Sequence, residues 1–400
     1  MSDLPETPQQ VVVLGGGLAA ARAVEELRER GYDGVLTLVG AEPHLPYERP
    51  PLSKGLLLGS DDVDSVFVHE PDWYDDKDVD LRLGAPARRI DRGRRVVVVG
   101  DDEIPYDRLL VATGAQPRRL PALDGSGIPV AYLRTLDDAL ALKEALGGDI
   151  AVVGAGWIGL EVAAAARTAG ASVTVVESAP LPLQAVLGPE LAPVFADLHR
   201  SHGVDLRLGT SVDQMADGTL SLSDGTRLRP DLVVVGIGAA PDDHLAAESG
   251  LDTDNGILVD ARLRTTDPAV WAAGDVANHD HPALGRLRVE HWDNAIKQGR
   301  HAAGGMLGDD APYEAMPYFF TDQYDLGMEY VGHVGRAGHD EVVVRGDLGK
   351  AVFTAFWLKD DRVVAGMQAN DWDASDHLRR LVGGPVPDGL RDPARDLGDL

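Results

Sequence analysis

Two segments of the chain share one order of apolar and polar positions. In the first, the apolar run Val11–Leu14 precedes three glycines, apolar residues then recur at helical spacing until Gly31, and a second apolar run covers Gly34–Gly40. This order predicts a β-strand, a glycine loop, an α-helix and another β-strand. The apolar helical positions are Leu18, Ala21, Val24 and Leu27.

The same order returns in the middle of the chain. An apolar run over Ile150–Val153 leads into a second glycine loop, a helical pattern ends at Gly170, and Ser172–Val176 has the composition of a strand. Strands that alternate with helices form parallel sheets with right-handed crossovers. We therefore predict an α/β chain with two Rossmann-like, dinucleotide-binding domains.

The pattern changes from Tyr318 onward. Stretches such as "EVVVRG" and "AVFTAFWLKDDRVVAGMQA" alternate between apolar and polar residues and are separated by turn-forming residues. This alternation predicts antiparallel strands and a third, α+β domain. The last residues, 382–400, are rich in proline, glycine and aspartate, and we expect this tail to be mobile.

The length of the chain and the composition of its segments indicate how many domains it has and whether it is a membrane or secreted protein. At 400 residues the chain is long enough for two or three domains, and its apolar runs are shorter than the roughly 18 residues of a membrane helix. The amino terminus has neither the basic nor the apolar region of a secretory signal. We therefore predict a cytoplasmic protein with no membrane partner.

Charge and cysteine count exclude further classes. The 65 acidic residues exceed the 37 basic ones, and the net charge of -28 disfavours nucleic acid as a partner. An acidic protein partner would need a local basic patch, for which Arg88–Arg95 or Arg118 and Arg119 are candidates, although short basic runs are usually solvated surface. Without cysteine the chain has no disulfide, thiolate-metal or dithiol chemistry, and we predict no metal site.

The first glycine loop has the form G-x-G-x-x-A. Such a loop lets backbone N–H groups and a helix N-terminus approach a pyrophosphate, although any tight strand–helix turn also needs glycine. The acid expected about 20 residues onward is displaced, and the nearest carboxylate after the second strand is Glu42. The candidate cofactor residues of this loop are Gly15, Gly17, Leu18, Ala19 and Ala20.

The second glycine loop is a full G-x-G-x-x-G motif, and Glu177 ends the strand that follows it. A carboxylate at that point accepts hydrogen bonds from ribose hydroxyls and repels a 2′-phosphate, which favours NAD(H) over NADP(H). If Glu177 is instead a solvated strand end, the preference stays open. The candidate residues of this loop are Gly154, Gly156, Ile158 and Gly159.

Three other stretches carry candidate contacts that also have ordinary structural explanations. Asp275 follows Gly274 at a strand end, where it could bind a polyol or cap a turn. Thr113 and Gly114 end another strand, for which a plain turn is the alternative. The proline-rich "LPYERPPLSKG" places Arg49 and Lys54 on a stiff segment that is either a site or a surface loop.

Together these stretches resemble the flavin-dependent, NADH-using ferredoxin reductases that serve bacterial oxygenases, a family that includes putidaredoxin, biphenyl-dioxygenase-ferredoxin and rubredoxin reductases. The resemblance runs from Val11 to about Ala369. It rests on "PYERPPLSKG", "VATGAQPR", "YLRTLDDA", "GAGWIGLEVAA", "GIGAAPDDHLA", "WAAGDVA", "VEHWDNAIKQG" and "PYFFTDQYDLGMEYVG", which occur in the family's order.

The resemblance implies that the first loop holds FAD and the second holds NADH. The FAD residues that it adds are Glu42, Arg49, Lys54, Ala87, Thr113, Gly114, Arg134, Gly274, Asp275 and Trp292. The NADH residues are Gly154, Gly156, Ile158, Gly159 and Glu177, assisted by Gly236 and Gly238.

In this family a lysine of the "PPLSK" loop and the glutamate after the second glycine motif form an ion pair beside flavin N5. The resemblance therefore implies that Lys54 and Glu161 are the catalytic pair, which positions and tunes the flavin. Taken alone, Glu161 is a first-turn helix glutamate favoured by the helix dipole. The chain departs from several relatives at Phe320, where they have a tryptophan, and at Ala41, which replaces the usual acid before Glu42.

The resemblance implies the glutathione-reductase-like architecture of two-dinucleotide flavoproteins. We expect an FAD domain over residues 1–118 and 241–316, an NAD domain over 119–240 and an α+β domain over 317–400. The implied activity passes electrons from NADH through FAD to a small iron–sulfur protein, a ferredoxin or rubredoxin, that feeds an oxygenase or cytochrome P450. The alternatives are an NADH diaphorase or monodehydroascorbate-type reductase of a small acceptor, and an NADH-sensing flavoprotein that acts through association. Either a monomer or a homodimer is compatible with the sequence.

Overall fold

The computed structural model describes residues 7–123, 127–335 and 338–400. Within these ranges the α-helices are α1 (Leu18–Glu29), α2 (Gly55–Leu58), α3 (Pro71–Asp76), α4 (Leu136–Glu144), α5 (Trp157–Thr168), α6 (Gln184–Ser201), α7 (His244–Glu248), α8 (Trp292–Met306) and α9 (Ser375–Leu381). No helix among the described residues has the length and apolar character needed to span a membrane.

The strands of the amino-terminal half are β1 (Gln10–Leu14), β2 (Val35–Val39), β3 (Val79–Arg82), β4 (Ala87–Asp91), β5 (Val96–Val99), β6 (Asp102–Pro105), β7 (Arg108–Val111), β8 (Ala115–Pro117), β9 (Val130–Ala131), β10 (Asp149–Val153) and β11 (Ser172–Glu177). Those that follow are β12 (Asp205–Leu208), β13 (Val212–Ala216), β14 (Thr219–Leu222), β15 (Arg227–Leu228), β16 (Leu232–Val235), β17 (Ala239–Pro241), β18 (Ile257–Val259), β19 (Val270–Ala272), β20 (Ala277–His281), β21 (Gly285–Arg288), β22 (Tyr318–Gln323), β23 (Leu326–Gly332), β24 (Glu341–Asp347), β25 (Val352–Lys359) and β26 (Arg362–Ala369).

The described structure divides into two compact units, of which the first comprises residues 7–49, 63–116 and 239–317. Its main sheet has the order β19-β7-β1-β2-β3, and its paired strands run parallel. Strand β1 pairs with β2 from Gln10 opposite Val35 to Leu14 opposite Val39. Helices α1 and α8 pack so closely that a Cβ on Gly299 would lie 2.3 Å from the Ala19 carbonyl oxygen. The antiparallel sheet β4-β5-β6 belongs to the same unit.

The second unit comprises Pro50–Asp62, Pro117–Gly238 and Tyr318–Leu400. It contains the parallel sheet β12-β11-β10-β16-β9 and the antiparallel sheet β22-β23-β26-β25-β24. Helix α5 contacts β10 and β11 of the first of these sheets and β22 of the second. One apolar core, which includes Trp357 and Met367 of the antiparallel sheet and Leu160 of α5, joins these elements.

The predicted strand–loop–helix–strand pattern is present in both units. Helix α1 ends at Glu29, just before Gly31, whose φ of +81° lies in the left-handed region that favours glycine. The alternation after Tyr318 forms antiparallel strands. The division into FAD, NAD and α+β domains stays a prediction, and Pro50–Asp62 lies in the same compact unit as the central and carboxyl-terminal segments.

The carboxyl-terminal tail supplies backbone oxygens to a buried arginine. Arg345 on β24 is only 8% exposed, and its guanidinium donates to the carbonyl oxygens of Leu390 at 2.9 Å and Asp392 at 2.8 Å, and also to that of Arg395. A buried cation needs such acceptors to offset its lost hydration. The mobility expected for residues 382–400 stays a prediction.

Candidate functional site

The first glycine loop connects β1 to α1. Gly15 has a φ of +133°, and a Cβ there would lie 2.1 Å from the Ala112 carbonyl oxygen, so only glycine fits. Around Gly17, by contrast, an added Cβ would meet no described atom within 4 Å. Gly17 is also the N-cap of α1, and no side chain caps the helix there. Leu18, Ala19 and Ala20 are buried in the first turn of α1.

Several candidate residues lie together in the first unit. The Glu42 carboxylate accepts hydrogen bonds from the Tyr47 hydroxyl at 2.6 Å and from Arg49 Nη2 at 3.1 Å. Asp275 is close enough for its charge to act on the Arg49 guanidinium. Gly274, which precedes Asp275, has a φ of +78°, and a Cβ there would lie 3.1 Å from the Ala19 Cβ.

The remaining candidates of the first unit are held by other contacts. The Thr113 hydroxyl donates to the Asp242 carbonyl oxygen at 2.6 Å, and the Asp242 N–H donates to that of Gly114 at 2.9 Å. The indole nitrogen of Trp292 donates to Glu48 at 3.1 Å. Ala87 begins β4, which belongs to a different sheet from β1, the strand that leads into the glycine loop.

The second glycine loop, between β10 and α5, repeats the geometry of the first. Gly154 has a φ of +103°, and a Cβ there would lie 2.4 Å from the Gly236 carbonyl oxygen. Gly156 is the N-cap of α5 without a side-chain cap, and its added Cβ would meet no described atom within 4 Å. A Cβ on Gly159 would lie 2.1 Å from the Gly154 carbonyl oxygen. Ile158 is 44% exposed.

Glu177 is joined to the second loop. Its carboxylate accepts from the backbone N–H of Ala155 at 2.7 Å and from that of Ala179 at 2.8 Å. Gly238 has a φ of +98°, and its carbonyl oxygen accepts from the Arg118 N–H at 2.9 Å. The Glu177 side chain is half-buried and bonded to the loop backbone, and its role in cofactor choice stays a prediction.

Lys54 and Glu161 form an ion pair in the second unit. Lys54 Nζ lies 2.8 Å from Glu161 Oε1, and the two side chains are 17% and 3% exposed. Glu161 also accepts from the hydroxyls of Ser53 at 2.5 Å and Thr321 at 2.6 Å. Phe320 places its ring centroid 5.4 Å from Lys54 Nζ, a cation–π contact. Phe320, where the resemblance leads us to expect a tryptophan, therefore packs on the lysine.

The carboxylates and cations of this cluster act on one another. The pKa of Asp322, next to Thr321 in the chain, is raised by loss of hydration; Lys54 opposes this rise and Glu161 adds to it.

The remaining candidate, Arg134, precedes α4 in the second unit, where its backbone N–H donates to the Asp138 carboxylate at 3.1 Å.

Both glycine loops fit the pyrophosphate of a dinucleotide. Gly15 and Gly154 are each required by a close backbone contact. An added Cβ on Gly17 or Gly156 would meet no described atom within 4 Å, and no side chain caps the helix that begins at either glycine. Backbone N–H groups at such an end attract phosphate oxygens through hydrogen bonding and the helix dipole. Each unit therefore has one glycine loop whose geometry fits a dinucleotide.

Comparison with known proteins decides the family. Residues 9–299 match the family described as "Pyridine nucleotide-disulphide oxidoreductase", and residues 318–400 match "Reductase C-terminal". The chain belongs to the pyridine nucleotide-disulphide oxidoreductases. The predicted fold class, enzyme class and family resemblance are confirmed for this oxidoreductase.

Curated relatives of this oxidoreductase match it nearly end to end. The ferredoxin–NAD(+) reductase component of the anthranilate 1,2-dioxygenase system of Burkholderia cepacia is 41% identical over 399 residues, which cover 96% of this chain and 98% of the relative. Putidaredoxin reductase of Pseudomonas putida is 38% identical over 369 residues, 89% of this chain and 87% of the relative. The crystal structure of the covalent putidaredoxin reductase–putidaredoxin complex matches with a TM-score of 0.93 at 36% identity, and covers 98% of this chain and 97% of that chain.

Sequence reasoning missed several partners of the candidate residues. Ser53 and Thr321 both donate to Glu161, and Tyr47 donates to Glu42. Ser53 and Tyr47 lie inside the quoted "PYERPPLSKG", and Thr321 lies inside "PYFFTDQY". Their positions within these motifs were the one indication that the sequence offered. The sequence does not show which acceptor a hydroxyl in a loop or strand will bond.

Proposed function

We propose that this oxidoreductase is an NADH-dependent ferredoxin reductase, which passes electrons to a small iron–sulfur protein that feeds an oxygenase or cytochrome P450. The observation that carries the proposal is the near end-to-end match with relatives named as ferredoxin reductases, including the carboxyl-terminal region. The absence of cysteine supports it, because the rival activities on this fold that need a thiol or dithiol are excluded.

The first glycine loop would hold FAD, whose pyrophosphate fits beside Gly17 and the N-terminus of α1. FAD, when bound, would supply the redox chemistry that links a two-electron donor to a one-electron acceptor. The further residues assigned to FAD are Glu42, Arg49, Lys54, Ala87, Thr113, Gly114, Arg134, Gly274, Asp275 and Trp292.

The second glycine loop would hold NADH beside Gly156 and the N-terminus of α5. Glu177 would select NADH, because its carboxylate is already fixed against the Ala155 N–H of this loop and would repel a 2′-phosphate. Ile158 would offer an apolar surface to the cofactor, and Gly236 and Gly238 would assist its binding.

The Lys54–Glu161 pair would assist hydride transfer. The Lys54 ammonium is largely buried and bonded to Glu161, and negative charge that arrives with a hydride would be stabilised by a cation held in this way. Glu161 fixes that ammonium and is itself fixed by Ser53 and Thr321. A cytoplasmic location fits this activity and stays part of the proposal.

The test is NADH-driven reduction of cytochrome c by the purified, FAD-loaded protein with a panel of [2Fe–2S] ferredoxins and rubredoxins. We expect a rate that requires one of these iron–sulfur proteins. Protein that cannot be loaded with FAD would overturn the proposal. A rate that no iron–sulfur protein increases, together with fast turnover of a small quinone, would instead support the diaphorase alternative.

A further inference from the structure

The Glu161 carboxylate is the end of a chain of buried hydrogen bonds. The Thr321 hydroxyl donates to it at 2.6 Å, and Gln323 Nε2 lies 3.2 Å from the Thr321 hydroxyl oxygen. Gln323 Oε1 lies 2.9 Å from His199 Nε2 on α6. Thr321, Gln323 and His199 are each at most 1% exposed. Their alternation on β22 points both strand residues to the same face of the sheet.

The acceptor at one end fixes the direction of every bond in this chain. A carboxylate only accepts, so the single hydroxyl proton of Thr321 is used on Glu161, and Thr321 must accept from the Gln323 amide. The Gln323 oxygen then accepts, which requires a proton on His199 Nε2. Burial lowers the pKa of His199 to about 4, so the neutral imidazole carries its one proton on that nitrogen at pH 7.

The aligned donors fix the carboxylate more firmly than separate bonds would. Hydrogen bonds that point the same way polarise one another, and this effect is strongest away from water. Thr321 acts on Oε1, the oxygen that also binds Lys54, whereas Ser53 acts on Oε2. Both oxygens are thereby restrained, and the position of the Lys54 ammonium follows from that of Oε1.

We propose that Thr321, Gln323 and His199 are positioning residues that hold the Glu161 carboxylate, and through it the Lys54 ammonium, in the geometry used for hydride transfer. This inference rests on the proposed function, in which the Lys54–Glu161 pair assists that step. The carboxyl-terminal sheet and α6 thus contribute to catalysis without touching a reacting atom. Loss of these hydrogen bonds would misplace the Lys54 ammonium, and a misplaced charge lowers a chemical rate more than it lowers affinity.

The first test compares Thr321→Val, which removes the donor at similar volume, with Thr321→Ser, which keeps it. Stopped-flow reduction of the FAD-loaded protein over a range of NADH concentrations separates the limiting rate from the NADH dissociation constant. We expect Thr321→Val to lower the limiting rate by about tenfold with little change in the dissociation constant, and Thr321→Ser to restore it to within about twofold. Thr354→Val is the control, because Thr354 is also 1% exposed in the same sheet but lies outside the chain of bonds.

The second test reads the position of Lys54 without any cofactor. Competitive acetylation of the protein, followed by mass spectrometry, gives the reactivity of Lys54 relative to Lys297, which pairs with Asp293 at 2.7 Å. A lysine nitrogen held against a fixed carboxylate is less free to reach the acetylating reagent and reacts slowly. Thr321→Val should raise the relative reactivity of Lys54 several-fold, and Thr354→Val should leave it unchanged.

A variant of His199, at the far end of the hydrogen-bond chain, and a double variant show whether the loss of rate passes through Glu161. His199→Phe keeps a ring against Tyr324 but removes the donor, and it should lower the limiting rate in the same direction by a smaller factor. In Glu161→Gln protein, Thr321→Val should have almost no further effect, because residues that act through one group are not additive.

Each result bears on a different proposal. If wild-type protein binds FAD but is not reduced by NADH, the proposed function is wrong. The acetylation test would still show whether the hydrogen bonds from His199 to Glu161 position Lys54. Normal reduction of Thr321→Val protein with unchanged Lys54 reactivity would overturn the positioning role. An equal loss of rate in Thr354→Val protein would overturn it too, because a general disturbance of the sheet would then explain the result.

Discussion

Lys54 and Glu161 show how much one residue depends on distant neighbours. Glu161 lies beyond the first turn of α5, which begins at Trp157, so the helix-dipole explanation considered for it is wrong. Its carboxylate is buried and would be costly there without the Lys54 ammonium and two hydroxyls. Phe320 adds a ring against the same ammonium. The charge of Lys54 is therefore defined in position as well as in sign.

Replacement of Lys54 by methionine should slow reduction of the flavin by NADH by about tenfold or more, because the fixed positive charge is lost while the length of the side chain is kept. FAD should stay bound. Stopped-flow loss of flavin colour measures the rate, and Lys350→Met, at a lysine that is 79% exposed, is the control. An unchanged rate in Lys54→Met protein would return the pair to a purely structural role.

The proposed choice of NADH over NADPH rests on one carboxylate, that of Glu177. Glu177→Ser should lower the ratio of kcat/KM for NADH to kcat/KM for NADPH by about tenfold, because both the ribose acceptor and the repulsive charge disappear. Steady-state rates with each cofactor measure the ratio. Glu190→Ser, at a carboxylate that is 42% exposed, should leave the ratio as it is. Equal ratios in the wild-type and Glu177→Ser proteins would contradict the assignment.

At the scale of an element, the two glycine loops separate packing from binding. Gly15→Ala places a methyl group 2.1 Å from the Ala112 oxygen at a positive φ and should destabilise the protein without any cofactor. Gly17→Ala meets no described atom, so we expect normal stability of the cofactor-free protein but a weaker affinity for FAD, by about tenfold or more.

Thermal unfolding of the FAD-free protein and titration with FAD distinguish these two effects. Gly147→Ala is the matched control for both, because an added Cβ at Gly147 also meets no described atom and its φ is outside the left-handed region. Tight FAD binding by Gly17→Ala protein would argue against a phosphate beside the N-terminus of α1.

Helix α6 carries a buried histidine whose titration should weaken the second unit in acid. The pKa of His199 falls to about 4 through burial, whereas an unfolded histidine titrates near 6.5, so the unfolded chain takes up the proton first. Stability should therefore fall as the pH drops from about 6.5 to about 4, by about 3 kcal/mol in total.

The difference in urea midpoint between wild-type and His199→Phe proteins at each pH isolates this contribution. His202 and Tyr324, which lie next to His199, are present in both proteins, so their contributions cancel. His244→Phe, at a side chain that is 79% exposed, should show no such pH-dependent difference. A difference that stays constant between pH 7 and pH 4 would mean that His199 is protonated as readily in the folded protein as in the unfolded one.

For the whole molecule, the net charge of -28 sets the long-range field. The arginine run Arg88–Arg95 does little to offset it locally, because Arg89 lies 3.4 Å from Asp91, Arg92 lies 3.7 Å from Asp267, and Arg94 pairs with Glu103. Repulsion of an acidic partner is therefore stronger at low salt.

We expect the second-order rate constant for reduction of an acidic ferredoxin to rise as ionic strength increases from about 20 mM to about 200 mM, because screening weakens this repulsion. Stopped-flow mixing of NADH-reduced protein with ferredoxin measures it. A neutral quinone acceptor, which feels no such field, is the control. A rate constant that falls with salt would instead reveal an attractive basic surface.

The local pattern of the chain predicted its elements well, because strands and helices depend on periodicity over a few residues. The loops around Gly15 and Gly154 and the strands after Tyr318 are of this kind. The contact of Lys54 with Glu161 joins positions 107 residues apart, and periodicity carries no information about it, so only the family resemblance indicated it. The bond from Thr321 to Glu161 spans 160 residues and was missed, because threonine is also a common strand residue.

The Arg345 guanidinium gives the end of the chain an unexpected importance. Backbone oxygens of residues 390–395 replace the water that this cation gives up when it is buried. In electrostatic terms, the tail is a solvent for an interior charge rather than an appendage. Shortening the chain before Leu390 would therefore resemble a core mutation that strands a charge, even though the residues removed lie at the terminus.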